Sequence, residues 1–195
     1  MAIMTTAPAR HACAKCSTCR FTASTALAGK KASIDLPLRE GDRIGGMEVI
    51  HTPGHASDHI CLAAADGVVF TGDHIMAWSS SVVPHPGGSM ADFITSLQRM
   101  ADRQDRLYLC GHGPVLPDPA PFVRNLVYHR LRREGAVLQA LRDGMTSSRA
   151  IANSLYESRG SQLMEAAEHN VKAHLAKLLA EGRVQLEGDM LRPVD

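Results

Sequence analysis

Three short glycine-containing stretches of the sequence each carry a side chain that could bind a metal. They are HTPGH, which ends at His55, TGDH, which contains Asp73, and GHG, which contains His112. Imidazole nitrogens and carboxylate oxygens bind Zn²⁺, Mn²⁺ and Fe, and a carboxylate can bridge two cations. Each stretch alone is more typical of an ordinary loop, but the order and spacing of the three favour a metal site with Asp73 as the bridge.

The segments before these stretches have the composition of β-strands. The sequence predicts strands over 48–51, 61–63, 67–70 and 106–110, and an amphipathic helix over 90–101. Loops at strand ends are where a rigid sheet positions reactive groups. The prolines at 114, 117, 119 and 121 then indicate a domain boundary, so we expect one domain over 35–120 and a second over 121–195.

The second domain is predicted to be helical. Helices are expected over 122–142, 147–156 and 162–180, followed by a hairpin of 183–186 with 190–192. Three helices and a hairpin are typical of a winged helix. Acidic residues such as Glu134 and Asp143 interleave with Arg130 and Arg132, which favours domain packing or a homodimer over binding to duplex DNA.

Longer motifs around the three stretches resemble a known family. HTPGHASDH (51–59), FTGDHIMAW (70–78) and CGHGP (110–114) resemble the later metal motifs of the metallo-β-lactamase superfamily, which includes glyoxalase-II-like enzymes. EAAEHNVKAHLAKLLAEG (165–182) is similar to the winged-helix domain of the β-lactamase-like protein 2 subgroup. The resemblance, over 36–195, implies an α/β fold: the C-terminal half of an αββα sandwich, with one sheet face open, followed by a small winged-helix domain.

The resemblance also implies metal ligands. His55 would bind one metal, Asp73 would bridge both, and His112 would bind the other, with two zinc ions in the family site and Mn or Fe as alternatives. The family's leading signature, His-x-His-x-Asp-His, does not occur in this chain, and His11 is the single histidine among residues 1–34. Each metal would then keep two protein ligands, one of them shared, so we expect a truncated and impaired enzyme with no assigned catalytic residue.

The implied activity is hydrolysis of an ester, thioester, lactone or phosphodiester by a metal-bound hydroxide, with a small molecule or RNA as substrate. The alternative is a non-catalytic remnant whose winged helix contacts proteins or nucleic acid. His59 and His74 are expected to orient a ligand or touch substrate, unless they only make loop hydrogen bonds. Trp78 would line a substrate pocket or anchor the core. The remaining histidines of the helical domain, His129, His169 and His174, are predicted to be structural.

Composition sets wider limits on function. The chain has 195 residues, 45% of them hydrophobic, and a net charge of +1, so bulk charge does not attract it to nucleic acid or anionic membrane. Its apolar runs are shorter than the roughly 20 residues that span a bilayer. Five cysteines, an odd number, argue against a disulfide framework. We therefore expect a cytoplasmic protein with Cys61 and Cys110 reduced and buried.

The first 34 residues differ from the rest of the chain. They contain no Asp or Glu and are rich in Ala, Ser and Thr, so an atypical, disordered segment is expected. Such composition resembles an organelle transit peptide, although no Arg-rich amphipathic helix can be drawn, and a rearranged or mistranslated start explains it equally well. Cys13, Cys16 and Cys19 with His11 could bind zinc, but no second pair follows at zinc-finger spacing.

Overall fold

The described part of the chain is a β-sheet region followed by a helical region. The computed structural model describes residues 37–156, 161–188 and 190–194. The predictions for residues 1–34, including zinc binding at His11 and its neighbouring cysteines, lie outside these ranges.

A six-stranded sheet forms the first region, with its strands in chain order. The strands are β1 (Arg43–Ile44), β2 (Met47–His51), β3 (Ile60–Ala63), β4 (Val68–Gly72), β5 (Leu107–Cys110) and β6 (Leu116–Pro117). All neighbours are antiparallel except β4 and β5, which are parallel. Because β2 and β4 are both antiparallel to β3, they run in the same direction, and β5 runs parallel to β4. The C-terminal ends of β2, β4 and β5 therefore lie at the same edge of the sheet.

The two faces of the sheet differ in burial, as alternation along β4 shows. Val69 and Thr71 are fully buried, whereas Phe70 between them points to the opposite face and is 45% exposed. The buried face packs on helix α1 (Met90–Ala101), which connects β4 to β5. One face is therefore covered by α1, and the opposite face is exposed at Phe70.

Helix α1 has the bounds expected from the sequence. The side chain of Ser89 caps its first turn by accepting a hydrogen bond from the Asp92 backbone N–H at 3.2 Å. Phe93, Leu97 and Met100 recur at helical spacing and are all buried. This apolar stripe joins residues of the sheet in the first hydrophobic core.

The helical region contains three helices and a hairpin. Its elements are α2 (Pro119–Arg142), α3 (Ser148–Leu155), α4 (Ser161–Ala180), β7 (Val184–Glu187) and β8 (Met190–Pro193). Helix α2 begins three residues before its predicted start, with Pro119 and Pro121 in its first turn, where a missing backbone N–H breaks no helical hydrogen bond. The proline-rich stretch is thus partly helical.

Helix α2 belongs to two hydrophobic cores. Near its start Val123 packs with the sheet and α1, while Val137, Leu138 and Leu141 pack with α3 and α4 in the second core. The domain boundary at 120/121 stays a prediction. Among the residues that the structure describes, no helix is long and apolar enough to cross a membrane.

Candidate metal centre

The loop after β2 holds His55 in a defined orientation. Gly54 has a φ of 140°, and a Cβ on it would lie 2.3 Å from the Phe93 Cα, so only glycine lets the loop pack on α1. The Nδ1 atom of His55 lies 2.7 Å from the carbonyl oxygen of Val82. Because a carbonyl only accepts, Nδ1 donates this hydrogen bond, and in the neutral imidazole Nε2 then keeps a lone pair. His55 is therefore oriented as a histidine that binds metal through Nε2.

The loops after β4 and β5 bring Asp73 and His112 together. The His112 Nε2 atom lies 3.5 Å from the Asp73 Oδ1 atom. Gly111 makes this approach possible, because a Cβ there would lie 2.9 Å from both Asp73 Oδ1 and the Gly72 oxygen. The site edge thus holds a carboxylate and an imidazole in contact.

His59 and His74 lie behind these loops; His74 is fully buried and His59 is partly buried. Their rings are 5.7 Å apart, and the ring of His74 stacks edge-on against Phe93 at 4.9 Å. Burial, with the charges of His55 and His51, lowers the pKa of His59 to about 4. Burial and the neighbouring His59 and His55 also lower the pKa of His74 well below its ordinary value. Both imidazoles are therefore neutral at physiological pH.

Their hydrogen bonds distinguish the two residues. His59 Nδ1 is 2.8 Å from the Thr52 hydroxyl, so His59 joins the strand end to the loop. Neither ring nitrogen of His74 has a hydrogen-bond partner within the described part of the chain. The alternative of loop hydrogen bonding thus applies to His59 and not to His74, and an orienting role for either stays a prediction.

The segment Ser81–Val83 forms hydrogen bonds with His55 and with the Asp73 backbone, and the sequence analysis did not identify it. The Ser81 hydroxyl donates to the Asp73 backbone oxygen, and Val82 holds His55. Helix α2 contributes Arg130, which donates to the Ser81 oxygen, and helix α4 contributes Asn170, which accepts from the Val83 N–H at 2.9 Å. No local pattern signals these contacts, because the partners are 49 and 87 residues apart.

An open groove of about 530 Å³ adjoins the site. Trp78, Tyr128, His129 and Arg132 contribute to its walls. Trp78 is 71% exposed, and a Cβ on Gly113 would lie 2.9 Å from the Trp78 Cδ1 atom, which places the indole beside the residue that follows His112. Trp78 is therefore not a core anchor, and the groove is a candidate place for substrate.

The other histidines and the cysteines mostly have the environments expected of them. His174 is buried 3.5 Å from Glu134, and His169 Nδ1 accepts from the His85 N–H at 3.3 Å, which fits the structural roles expected of both. His129 lies instead at the groove. Cys61 and Cys110 are free thiols; Cys61 is fully buried, whereas Cys110 is only half-buried and so departs from the prediction.

The donor types fit a divalent metal, but the set is incomplete. Across residues 37–156, 161–188 and 190–194, no three His, Cys, Asp or Glu side chains converge closely enough to hold one ion. Asp73 and His112 supply a pair of donors, and His55 presents a free Nε2 from the neighbouring loop. Donors of this type on strand-end loops are typical of metal-dependent hydrolases.

Two family models match the chain in agreement with this architecture. Residues 31–112 match the metallo-beta-lactamase superfamily, and residues 147–192 match the beta-lactamase associated winged helix domain. The chain therefore contains a metallo-β-lactamase domain with a partial fold of that family, followed by a β-lactamase-associated winged helix domain. Members of this superfamily typically bind divalent metals such as zinc or iron.

Similar proteins include beta-lactamase-like protein 2 homologs. The one from Drosophila melanogaster is 29% identical over 72% of this chain and 48% of its own length. The one from Caenorhabditis elegans is 30% identical over 71% of this chain and 46% of its own length. An atrochrysone carboxyl ACP thioesterase from Passalora fulva is 30% identical over 72% of the chain and 45% of its own length. The chain therefore spans about half the length of these relatives.

A solved structure shares the fold. The metallo-beta-lactamase family protein from Thermus thermophilus superimposes with a TM-score of 0.71 and 27% identity, over 82% of this chain and 54% of that protein. The superposition includes both the sheet and the helical region, because it covers four-fifths of the chain.

Proposed function

We propose that this chain contributes His55, Asp73 and His112 to the metal centre of a hydrolase. The contact of Asp73 Oδ1 with His112 Nε2 at 3.5 Å carries the proposal. The Val82 carbonyl supports it, because its hydrogen bond to His55 Nδ1 leaves the other ring nitrogen free to bind.

Each of the three residues has a separate task. A bound divalent cation would polarise the carbonyl or phosphoryl group of a substrate and activate water. Asp73 lies next to His112, and its carboxylate has two oxygens, so it is the group that could bind two cations at once. The Ser81 hydroxyl bonds the Asp73 backbone, which holds this carboxylate at the sheet edge.

The groove beside the site suggests how substrate would bind. Trp78 and Tyr128 offer exposed aromatic surface, and Arg132 lies with its guanidinium carbon 5.8 Å from the Tyr128 ring centroid. Aromatic and cationic side chains suit an anionic or unsaturated group near the scissile bond. Ester, thioester, lactone and phosphodiester all stay open. The thioesterase names among the relatives support the thioester.

We expect slow turnover from the chain by itself. Catalytic zinc usually has three protein ligands and a water, and the described residues assemble no group of three. Rates well below the roughly 1–10³ per second of typical enzymes are therefore expected.

The experiment is a metal titration of the full chain, followed by thioester and phosphodiester assays. Zn²⁺ or Mn²⁺ should bind, and Asp73→Ala should reduce the affinity at least about tenfold. Asp66→Ala is the matched control, because Asp66 is exposed, pairs at 3.5 Å with the exposed Arg106 and accepts a long hydrogen bond of 3.4 Å from the Val68 N–H. Equal metal affinity of the two variants would remove Asp73 from the site.

A non-catalytic role is the second candidate, favoured by the missing three-donor group among the described residues. In that case the winged helix would contact a protein or nucleic acid while the sheet serves as a scaffold. Such a protein should bind metal substoichiometrically and behave alike before and after treatment with a chelator.

A further inference from the structure

The helical region holds the loop that orients His55. Segment Ser81–Val83 lies between the site and helices α2 and α4, and its polar groups alternate in direction. Towards the site, Val82 oxygen accepts from His55 Nδ1 at 2.7 Å and Ser81 Oγ donates to Asp73 oxygen. Towards the helices, Ser81 oxygen and Val83 N–H are the bonded groups.

Two buried side chains form hydrogen bonds with the segment on the side that faces the helices. Asn170 of α4 is 8% exposed, and its Oδ1 accepts from the Val83 N–H at 2.9 Å and from Arg130 Nη1 at 3.4 Å. Arg130 of α2 is 2% exposed, donates to the Ser81 oxygen, and lies with its guanidinium carbon 5.1 Å from the Phe93 ring centroid. The two side chains thus bind each other as well as the segment.

The position of Arg130 is costly for stability alone. Burial lowers its pKa to about 10, and no carboxylate of the described residues forms an ion pair with it. Burying an unpaired cation opposes folding, and an apolar side chain of similar size would avoid that cost. Its specific hydrogen bond to a backbone carbonyl next to Val82 is what an apolar residue could not supply.

We propose that Asn170 and Arg130 are positioning residues of the metal centre. They fix Ser81 and Val83, and therefore the Val82 carbonyl that selects the tautomer and direction of His55. The proposal rests on the proposed function, since it concerns one of the three assigned ligands. The winged helix would then act on the metal site, because Asn170 on α4 supplies the acceptor that holds the segment whose Val82 carbonyl orients His55.

The effect of removing this acceptor follows from the hydrogen bonds. In Asn170→Ala the Val83 N–H and Arg130 both lose Oδ1, so the segment can relax away from the site. His55 Nδ1 then loses a fixed acceptor, and the ring can exchange between its two neutral tautomers. Loss of a group that orients a metal ligand typically weakens metal binding by about 10–100-fold.

The test uses the full chain in four forms: unchanged, Asn170→Ala, Asn170→Asp and Asn153→Ala. Asn170→Asp retains an oxygen acceptor at the same position. Asn153 lies exposed on α3, so Asn153→Ala repeats the same substitution away from the segment. The first readout, made on the metal-free protein at a pH where the ring is neutral, is the His55 tautomer from long-range ¹H–¹⁵N NMR. The second readout is Zn²⁺ affinity by calorimetry.

The unchanged chain, Asn170→Asp and Asn153→Ala should all show His55 protonated at Nδ1. Asn170→Ala should show mixed tautomers and, where Zn²⁺ binds, at least about tenfold weaker affinity. A pure Nδ1–H tautomer in folded Asn170→Ala, or an Nε2–H tautomer in the unchanged chain, overturns the proposal. The second outcome is decisive even if Asn170→Ala does not fold. Failure of the unchanged chain to bind Zn²⁺ with the predicted tautomer pattern present would reject the proposed function while supporting the positioning role.

Discussion

Gly54 occupies a position where the fold has no room for a side chain. The turn from β2 to His55 needs a φ of 140° and brings Gly54 against the backbone of Phe93. Its carbonyl oxygen also accepts from the Ser89 N–H at 2.8 Å, which ties the His55 loop to the start of α1. A side chain at this position would have to push two elements apart.

Gly54→Ala should destabilise the chain by more than about 2 kcal/mol, because it combines an unfavourable φ with a backbone overlap. Gly135→Ala is the control: Gly135 lies inside α2 with no atom within 4 Å of an added Cβ. That change should stabilise by about 0.5–1 kcal/mol through helix propensity. Urea unfolding monitored by circular dichroism measures both, and two changes of the same sign would contradict this account.

At the residue scale, the sequence indicates the candidate metal ligands but not the residues that support them. His55, Asp73 and His112 stand in short motifs whose residue types and order indicate metal chemistry. Ser81, Arg130 and Asn170 stand in no such pattern, because their roles depend on contacts between distant segments. Only the folded chain places them at the site.

At the scale of elements, predictability depends on length and on caps. Helix α1 matches its predicted bounds because an apolar stripe and a capping Ser89 mark it. The two-residue strands β1 and β6 are too short to show alternation, so the sequence does not predict them. The start of α2 is missed because prolines that usually interrupt helices also fit the first turn.

An ion cluster around the buried Glu134 joins α2, α4 and the residue before β7. Glu134 on α2 contacts Lys177 on α4 at 2.8 Å and Arg183, just before β7, at 3.0 Å. Burial raises the pKa of Glu134, but hydrogen bonds and charges from His174 and Lys177 outweigh burial and hold this pKa at about 2, below its ordinary 4.5. A carboxyl with a lowered pKa stabilises the fold above pH 4.5, and that contribution is lost as the pH falls towards 2.

Glu134→Gln should therefore cost about 2 kcal/mol at neutral pH, because it removes the buried carboxylate that pairs with Lys177 and Arg183 and leaves them only the exposed Glu181. The difference from the unchanged chain should shrink as the pH falls from 4.5 towards 2. Glu187→Gln is the control, since Glu187 is exposed and its nearest cation, Arg192, lies 3.6 Å away; it should change stability by less than about 1 kcal/mol. A pH-independent cost of Glu134→Gln would contradict the assigned cluster.

At the scale of the whole molecule, the second core is complete within the helical region. All its residues lie between Val137 and Leu191. We predict that residues 121–195 fold by themselves, with helical circular dichroism and a cooperative thermal transition. Leu178→Ala, at a fully buried position of that core, should lower the midpoint, since such changes cost about 2–5 kcal/mol. A broad transition insensitive to Leu178→Ala would count against an autonomous domain.

The exposed Trp78 makes the protein a reporter of its own site. It is the single tryptophan of the chain, already in contact with solvent, and it lies beside Gly113, the residue after His112. Its fluorescence should therefore respond little to unfolding in urea but strongly to events at the sheet edge. A paramagnetic cation such as Co²⁺ bound at Asp73 and His112 should quench the emission, and Asp73→Ala should abolish the quenching. A large red shift of the emission on unfolding would instead mean that the indole is shielded in solution.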